Sequence, residues 1–174
     1  MLARKNYDIY SLTTEEKSNS EGLATGTVAP DFTFRSGMQE LKLSDFRNRK
    51  VVVYFYPRDF TTGCTTEASE FTTDYHKFKK AGIEIIGVSP DTEDSHEKFK
   101  EKMKIPYHLA SDINNSISKN YGTYGLKKFM GKEYMGINRT TFLIDEKGVI
   151  VKIFKKVKPQ GHSNQVLEAF EITR

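Results

Sequence analysis

The chain has 174 residues, 37% of them hydrophobic and 29% charged, which is enough for one domain with a sizeable core and too few to expect two. Its 27 basic residues outnumber 23 acidic ones, but they are scattered in short clusters such as Lys127-Lys128 and Lys155-Lys156, whereas a nucleic-acid groove needs a denser stripe. No run approaches the roughly 18 consecutive apolar residues of a membrane span, and Asp8, Glu15, Glu16 and Glu21 interrupt any signal-like start, so a cytoplasmic chain without membrane or nucleic-acid partners is expected.

Residues 1–25 are polar and poorly periodic and read as a flexible tail; residues 26–174 read as the domain, entered at Gly26, Pro30 and Asp31. Phe32-Thr33-Phe34 and Leu41-Lys42-Leu43 alternate about a Ser36-Gly37 turn, which predicts a small β-hairpin lying over the main sheet. Val51-Val52-Val53-Tyr54-Phe55-Tyr56 is continuously apolar and predicts a strand buried on both faces, stopped by Pro57. Ala68, Phe71, Tyr75 and Phe78 then define one face of a helix that Gly82 closes, and Ile83-Glu84-Ile85-Ile86-Gly87-Val88 is the next strand. Two strands joined by a helix should run parallel. A second helix is expected with Asp94 or Ser95 as its cap and Pro106 as its end. A short extended piece near Tyr107 to Leu109 and a helix from about Asp112 to Tyr121 follow. Residues Lys127 to Gly136 are polar and glycine-punctuated, which predicts a loop. Thr140 to Ile144 and Val149 to Phe154 form a hairpin across Glu146-Lys147-Gly148, and a last helix covers about Asn164 to Ile172. The order is that of an α/β, thioredoxin-like fold: a central mixed β-sheet flanked by helices, with an N-terminal β-hairpin.

The chemistry centres on Cys64. It follows the carboxyl end of a buried strand and opens a helix, where open α/β sheets place their ligand sites. The free N–H groups and partial positive charge of a helix's first turn favour an anion, including a thiolate. A thiol with a pKa near 8.5 is only about 3% ionised at neutral pH, and raising that to roughly 90% takes about 3.4 kcal/mol of differential stabilisation. A helix terminus supplies about 0.3 to 1 kcal/mol, so a cation or further hydrogen bonds must supply the rest. Arginine suits this role because its charge is permanent and its fork can contact sulfur and a peroxide oxygen together. Arg139, opening a strand that should lie beside the first, and Arg58, nearer in sequence, are both candidates. A lone cysteine is most often a small buried hydrophobe, but Thr61, Thr62, Gly63, Thr65 and Thr66 make a hydroxyl-rich turn unsuited to a core thiol. His76, His96, His108 and His162 show no metal-ligand spacing and no nucleotide motif is present, so neither metal nor cofactor is expected.

Pro57-Arg58-Asp59-Phe60-Thr61-Thr62-Gly63-Cys64 resembles the peroxiredoxin pattern P-x-x-x-T-x-x-C. Val53-Tyr54-Phe55-Tyr56 before it and Thr65-Thr66-Glu67-Ala68 after it are similar to the bacterioferritin-comigratory, or Q-type, subgroup, as are Ala29-Pro30-Asp31-Phe32, Ser95-His96, Arg139-Thr140-Thr141-Phe142 and Gly161-His162. The resemblance implies a thiol-dependent peroxidase in which Cys64 is the nucleophile and Thr61 hydrogen-bonds the peroxide. It further implies that Pro57 shields the site, that Arg139 rather than Arg58 activates the thiol, and that Glu67 holds Arg139. The subgroup's resolving cysteine, five residues further on, is here Ser69, and the chain's single cysteine excludes an internal disulfide. The expected reductant is therefore external: thioredoxin, glutaredoxin or a low-molecular-weight thiol. A monomer or weak dimer is expected. The alternative is a peroxide-sensing relay that passes oxidation to a partner through a mixed disulfide.

Overall fold

The computed structural model describes residues 22–172, so the N-terminal tail expected over residues 1–25 lies for the most part outside the described residues. Leu23 already packs against the core, and Gly26 donates its N–H to the Ile150 carbonyl at 2.7 Å. The hairpin follows as β1 (Thr33–Ser36) and β2 (Gln39–Lys42), antiparallel, ending in a 3-10 turn at Leu43–Phe46.

The main sheet has five strands. Strand β3 (Lys50–Phe55) is central, parallel to β4 (Ile83–Ser89), which is parallel to β5 (His108–Ser111). On its other side β3 is antiparallel to β8 (Thr140–Ile144), which pairs with β9 (Ile150–Phe154). Successive residues of β3 serve two cores. Val51, Val53 and Phe55 face the N-terminal hairpin, Tyr121 and Phe142, while Val52 and Tyr54 face the helical layer of Phe71, Phe78, Phe99 and Phe170. That two-sided burial is why the strand reads as an unbroken apolar run.

The helix predicted from Ala68 to Phe78 is two helices, α1 (Thr62–Thr73) and α2 (Tyr75–Lys80), divided at Asp74. The Thr73 hydroxyl bonds back to the Ser69 carbonyl at 2.9 Å, and the Asp74 carboxylate accepts from Ser163 at 2.6 Å. Local hydroxyl bonds and this long-range tie break a run that the apolar spacing alone would continue. Helix α3 (Glu93–Met103) is capped by the Thr92 hydroxyl, which accepts from the Ser95 N–H at 3.1 Å, so neither Asp94 nor Ser95 is the cap. It ends at Lys104, left-handed at φ 53°, two residues ahead of Pro106. Helix α4 (Ser116–Asn120) is organised by the Asp112 carboxylate, which accepts from the Ile117 and Ser118 N–H groups at 3.0 and 2.9 Å.

The loop predicted over Lys127 to Gly136 is instead an antiparallel hairpin, β6 (Tyr124–Phe129) with β7 (Lys132–Ile137). Its turn residues Met130 and Gly131 both have positive φ, 51° and 78°, as a tight two-residue hairpin turn requires. Helix α5 (His162–Ile172) starts two residues earlier than its apolar face indicates. Among the described residues no helix is long and apolar enough to cross a membrane.

Candidate active site

Cys64 is the third residue of α1 and belongs to its buried face, with Glu67, Ala68 and Phe71 at helical spacing. The helix begins because Thr61 is extended, φ −74° and ψ 155°, while its carbonyl accepts the Thr65 N–H at 2.8 Å. Cys64 is only 2% exposed, under a turn in which Arg58, Phe60, Thr61 and Thr62 face solvent while Asp59 is buried.

Strand pairing delivers the cation. Thr140 opens β8 opposite Phe55 near the end of β3, so Arg139, one residue earlier, arrives beside the chain that leads to Cys64. One terminal nitrogen of its guanidinium donates to Cys64 Sγ at 3.2 Å and the other to Glu67 Oε1 at 2.7 Å. The Val157 N–H holds the Arg139 carbonyl at 3.1 Å. The guanidinium crosses Gly63 so closely that a Cβ there would lie 3.1 Å from its nitrogen and 3.5 Å from Pro159 Cγ.

Burial works against the charge of Arg139, but Glu67 and Cys64 together hold the guanidinium more firmly protonated than in water. Glu67 is fully buried, and desolvation pushes its carboxyl up to about 7 although Arg139 opposes the shift. Its second oxygen, Oε2, has no hydrogen-bond partner, which fits a carboxyl that keeps its proton unusually long. Lys127 adds a second cation. Burial and the neighbouring Arg139 lower its pKa while Cys64 opposes that, and its Nζ donates to the Ile137 carbonyl at 2.8 Å.

Of the residues singled out in the sequence, Arg139 is in direct contact with both Cys64 and Glu67. Pro57 is half-buried, two residues beyond β3. Thr61 donates its hydroxyl to the Arg58 carbonyl at 2.9 Å, which leaves its oxygen lone pairs free to accept from a ligand. Arg58 is exposed, and the guanidinium at the sulfur is that of Arg139. Ser69 lies exposed on the opposite side of α1. The sequence did not single out Asp59, buried inside the recognised motif. It also gave His96 no ligand partner, yet donor atoms of His96, Asp59 and Asp91 lie within 4.8 Å of one another.

The AhpC/TSA family profile matches residues 25–153. The chain is 43% identical over 147 residues to the peroxiredoxin Bcp of Bacillus subtilis, covering 84% of this chain and 94% of that protein. It is 37% identical over 147 residues to the Escherichia coli K12 peroxiredoxin Bcp, covering 83% and 94%. Among solved structures, the Xanthomonas campestris bacterioferritin comigratory protein superposes with a TM-score of 0.80 at 34% identity, covering 87% of this chain and 96% of that one. A strand order set by β3, a cysteine at the start of the next helix and an arginine from β8 thus coincide with extended sequence likeness, and the chain belongs to the AhpC/TSA family, in its bacterioferritin-comigratory peroxiredoxin branch.

Proposed function

We propose that the protein is a thiol-dependent peroxidase that reduces hydrogen peroxide and organic hydroperoxides at Cys64. The observation that carries this reading is the Arg139 fork joining Cys64 Sγ to Glu67 at the first turn of α1. A charged donor at 3.2 Å and the open N–H groups of a helix terminus both favour a sulfur anion, the form that attacks. The Xanthomonas campestris relative, for its part, is associated with alkyl peroxide reduction.

The thiolate displaces the outer oxygen of the peroxide: an S–O bond forms, the O–O bond breaks, sulfur loses two electrons and the peroxide gains them. The departing oxygen takes a proton and leaves as water or alcohol, its developing charge facing Arg139. Thr61, its own proton engaged with Arg58, accepts the hydrogen of the incoming hydroperoxide. Pro57 walls the turn. Glu67 fixes the guanidinium's rotation. With one cysteine in the chain, the sulfenic acid condenses with an external thiol, releasing water and forming a mixed disulfide, and a second thiol restores Cys64. The substrates are thus a hydroperoxide and an external thiol, low-molecular-weight or carried by a thioredoxin or glutaredoxin.

Peroxide consumption with excess thiol tests the proposal. Wild-type protein should remove peroxide catalytically and Cys64→Ser should fall to the uncatalysed rate. Equal rates for the two would refute it.

A further inference from the structure

A buried hydrogen-bonded cluster beside the Cys64 turn is not used by the chemistry above. Asp59, five residues before Cys64, is 3% exposed. Its Oδ1 accepts the Tyr56 hydroxyl at 2.7 Å; its Oδ2 accepts the Ser95 hydroxyl at 2.9 Å and faces His96 Nδ1 at 2.7 Å. Its backbone N–H donates to Asp91 Oδ2 at 2.8 Å, an oxygen that also accepts the Ser89 hydroxyl at 2.6 Å. His96 Nε2 faces the Ala110 carbonyl at 3.2 Å. A carbonyl can only accept, so Nε2 carries a hydrogen, and one further proton lies between Nδ1 and Asp59. The pair is neutral as a whole whichever side of that bond the proton occupies, and this is compatible with full burial. Burial, reinforced by Asp59, keeps Tyr56 a phenol and hence a donor. Both Asp59 oxygens are therefore taken up by protein donors, and the group works as a clamp rather than as an open set of metal ligands.

The clamp ties one residue of the active-site turn to Tyr56 just beyond β3 and to α3, and through Asp91 and His96 to β4 and β5. The next residue, Phe60, sits at φ 66°, a left-handed conformation that a residue with a Cβ adopts at a cost. Its ring rests edge-on against Phe99, with centroids 5.1 Å apart, and Lys102 Nζ lies 5.7 Å from its centroid. The turn is therefore held in a shape it would not keep unaided. Meanwhile Cys64 is 2% exposed behind this turn, which leaves little room for a thiol to approach its sulfur in line.

We propose that Asp59 and His96 are positioning residues of the peroxidase: their clamp holds the turn from Pro57 to Thr61 in place for peroxide attack, and loosening it admits the external thiol. This rests on Cys64 being the oxidised group. A merely structural role and a positioning role differ in sign, because a loosened turn slows the first half-reaction and speeds the second.

The test measures both half-reactions separately by stopped flow: oxidation of Cys64 by hydrogen peroxide without thiol, then reaction of the preformed sulfenic acid with 2-mercaptoethanol. For Asp59→Ala, oxidation should slow at least ~10-fold, since small misplacement of reacting groups costs up to about 100-fold, while the thiol step becomes severalfold faster. Ser95→Ala, which removes one hydroxyl and leaves the rest of the clamp, should move both rates in the same opposite directions by less. Asp59→Asn should restore both to within about threefold, because its amide can donate to His96 Nδ1 and its carbonyl accept from Tyr56. Parallel slowing, two unchanged rates, or Asp59→Asn behaving as Asp59→Ala would each overturn the proposal. Should Asp59→Ala fail to fold by circular dichroism, the signs for Ser95→Ala decide. A wild-type Cys64 that peroxide does not oxidise would sink the reading of Cys64 instead, a separate outcome.

Discussion

Arg139 is the residue whose replacement should matter most after Cys64 itself. Arg139→Met leaves the sulfur without its charged donor, and losing one preorganised donor typically costs about 100- to 1000-fold in rate. Oxidation of Cys64 by peroxide, followed by stopped flow, should fall by that order, and Arg139→Lys should recover only part because an ammonium cannot hold Cys64 and Glu67 with one fork. Loss of less than about twofold for Arg139→Met would remove Arg139 from the mechanism. Gly63→Ala probes the same contact from the other side. With its Cβ 3.1 Å from the guanidinium, it should slow oxidation severalfold with little change in melting temperature, and an unchanged rate would mean that the guanidinium's exact placement is unimportant. The contacts of Arg139 with Cys64 and Glu67 were legible because the motif and the strand after it carry these residues. Asp59 was not, since its partner His96 is 37 residues away and only the fold brings them together.

At the level of elements, the central strands β3 and β4 were readable because burial on both faces writes itself as near-continuous apolar, β-branched and aromatic runs. The hairpin β6–β7 was not. It forms its own two-stranded sheet, with Leu126, Phe129, Tyr134 and Met135 exposed, so no buried face imposes alternation on it. Its turn is also disguised, because Met130 stands at a left-handed position where asparagine is the usual signal. Met130→Asn should therefore stabilise the protein by about 0.5 to 1 kcal/mol, seen as a rise of a few degrees in melting temperature. A fall would contradict the turn geometry. The division between α1 and α2 was equally invisible: the Ser163 hydroxyl that holds Asp74 comes from the far end of the chain, and it keeps that carboxyl below its usual range, with help from Lys77, although burial opposes it.

For the whole molecule, a five-stranded mixed sheet between two cores fixes where β3 ends and hence where the sulfur sits. The acid that supports the site leaves a mark on global stability. Burial raises the Glu67 carboxyl from 4.5 to about 7 in the folded protein, so folding takes up protons there. That contribution is fully present below about pH 4.5 and is lost as pH rises through about 7, on the order of 3 kcal/mol across the window. Urea unfolding from pH 4.5 to 8 should show wild-type stability carrying this downward slope and Glu67→Gln lacking it. Parallel curves would show that Glu67 ionises normally.

Intact-mass and peptide analysis after one equivalent of hydrogen peroxide, with dimedone present as a trap for sulfenic acid, tests the central claim most directly. One dimedone adduct on Cys64, absent without peroxide and greatly diminished in Arg139→Met over the same reaction time, is the predicted result. Peroxide consumed with Cys64 left unmodified would contradict it.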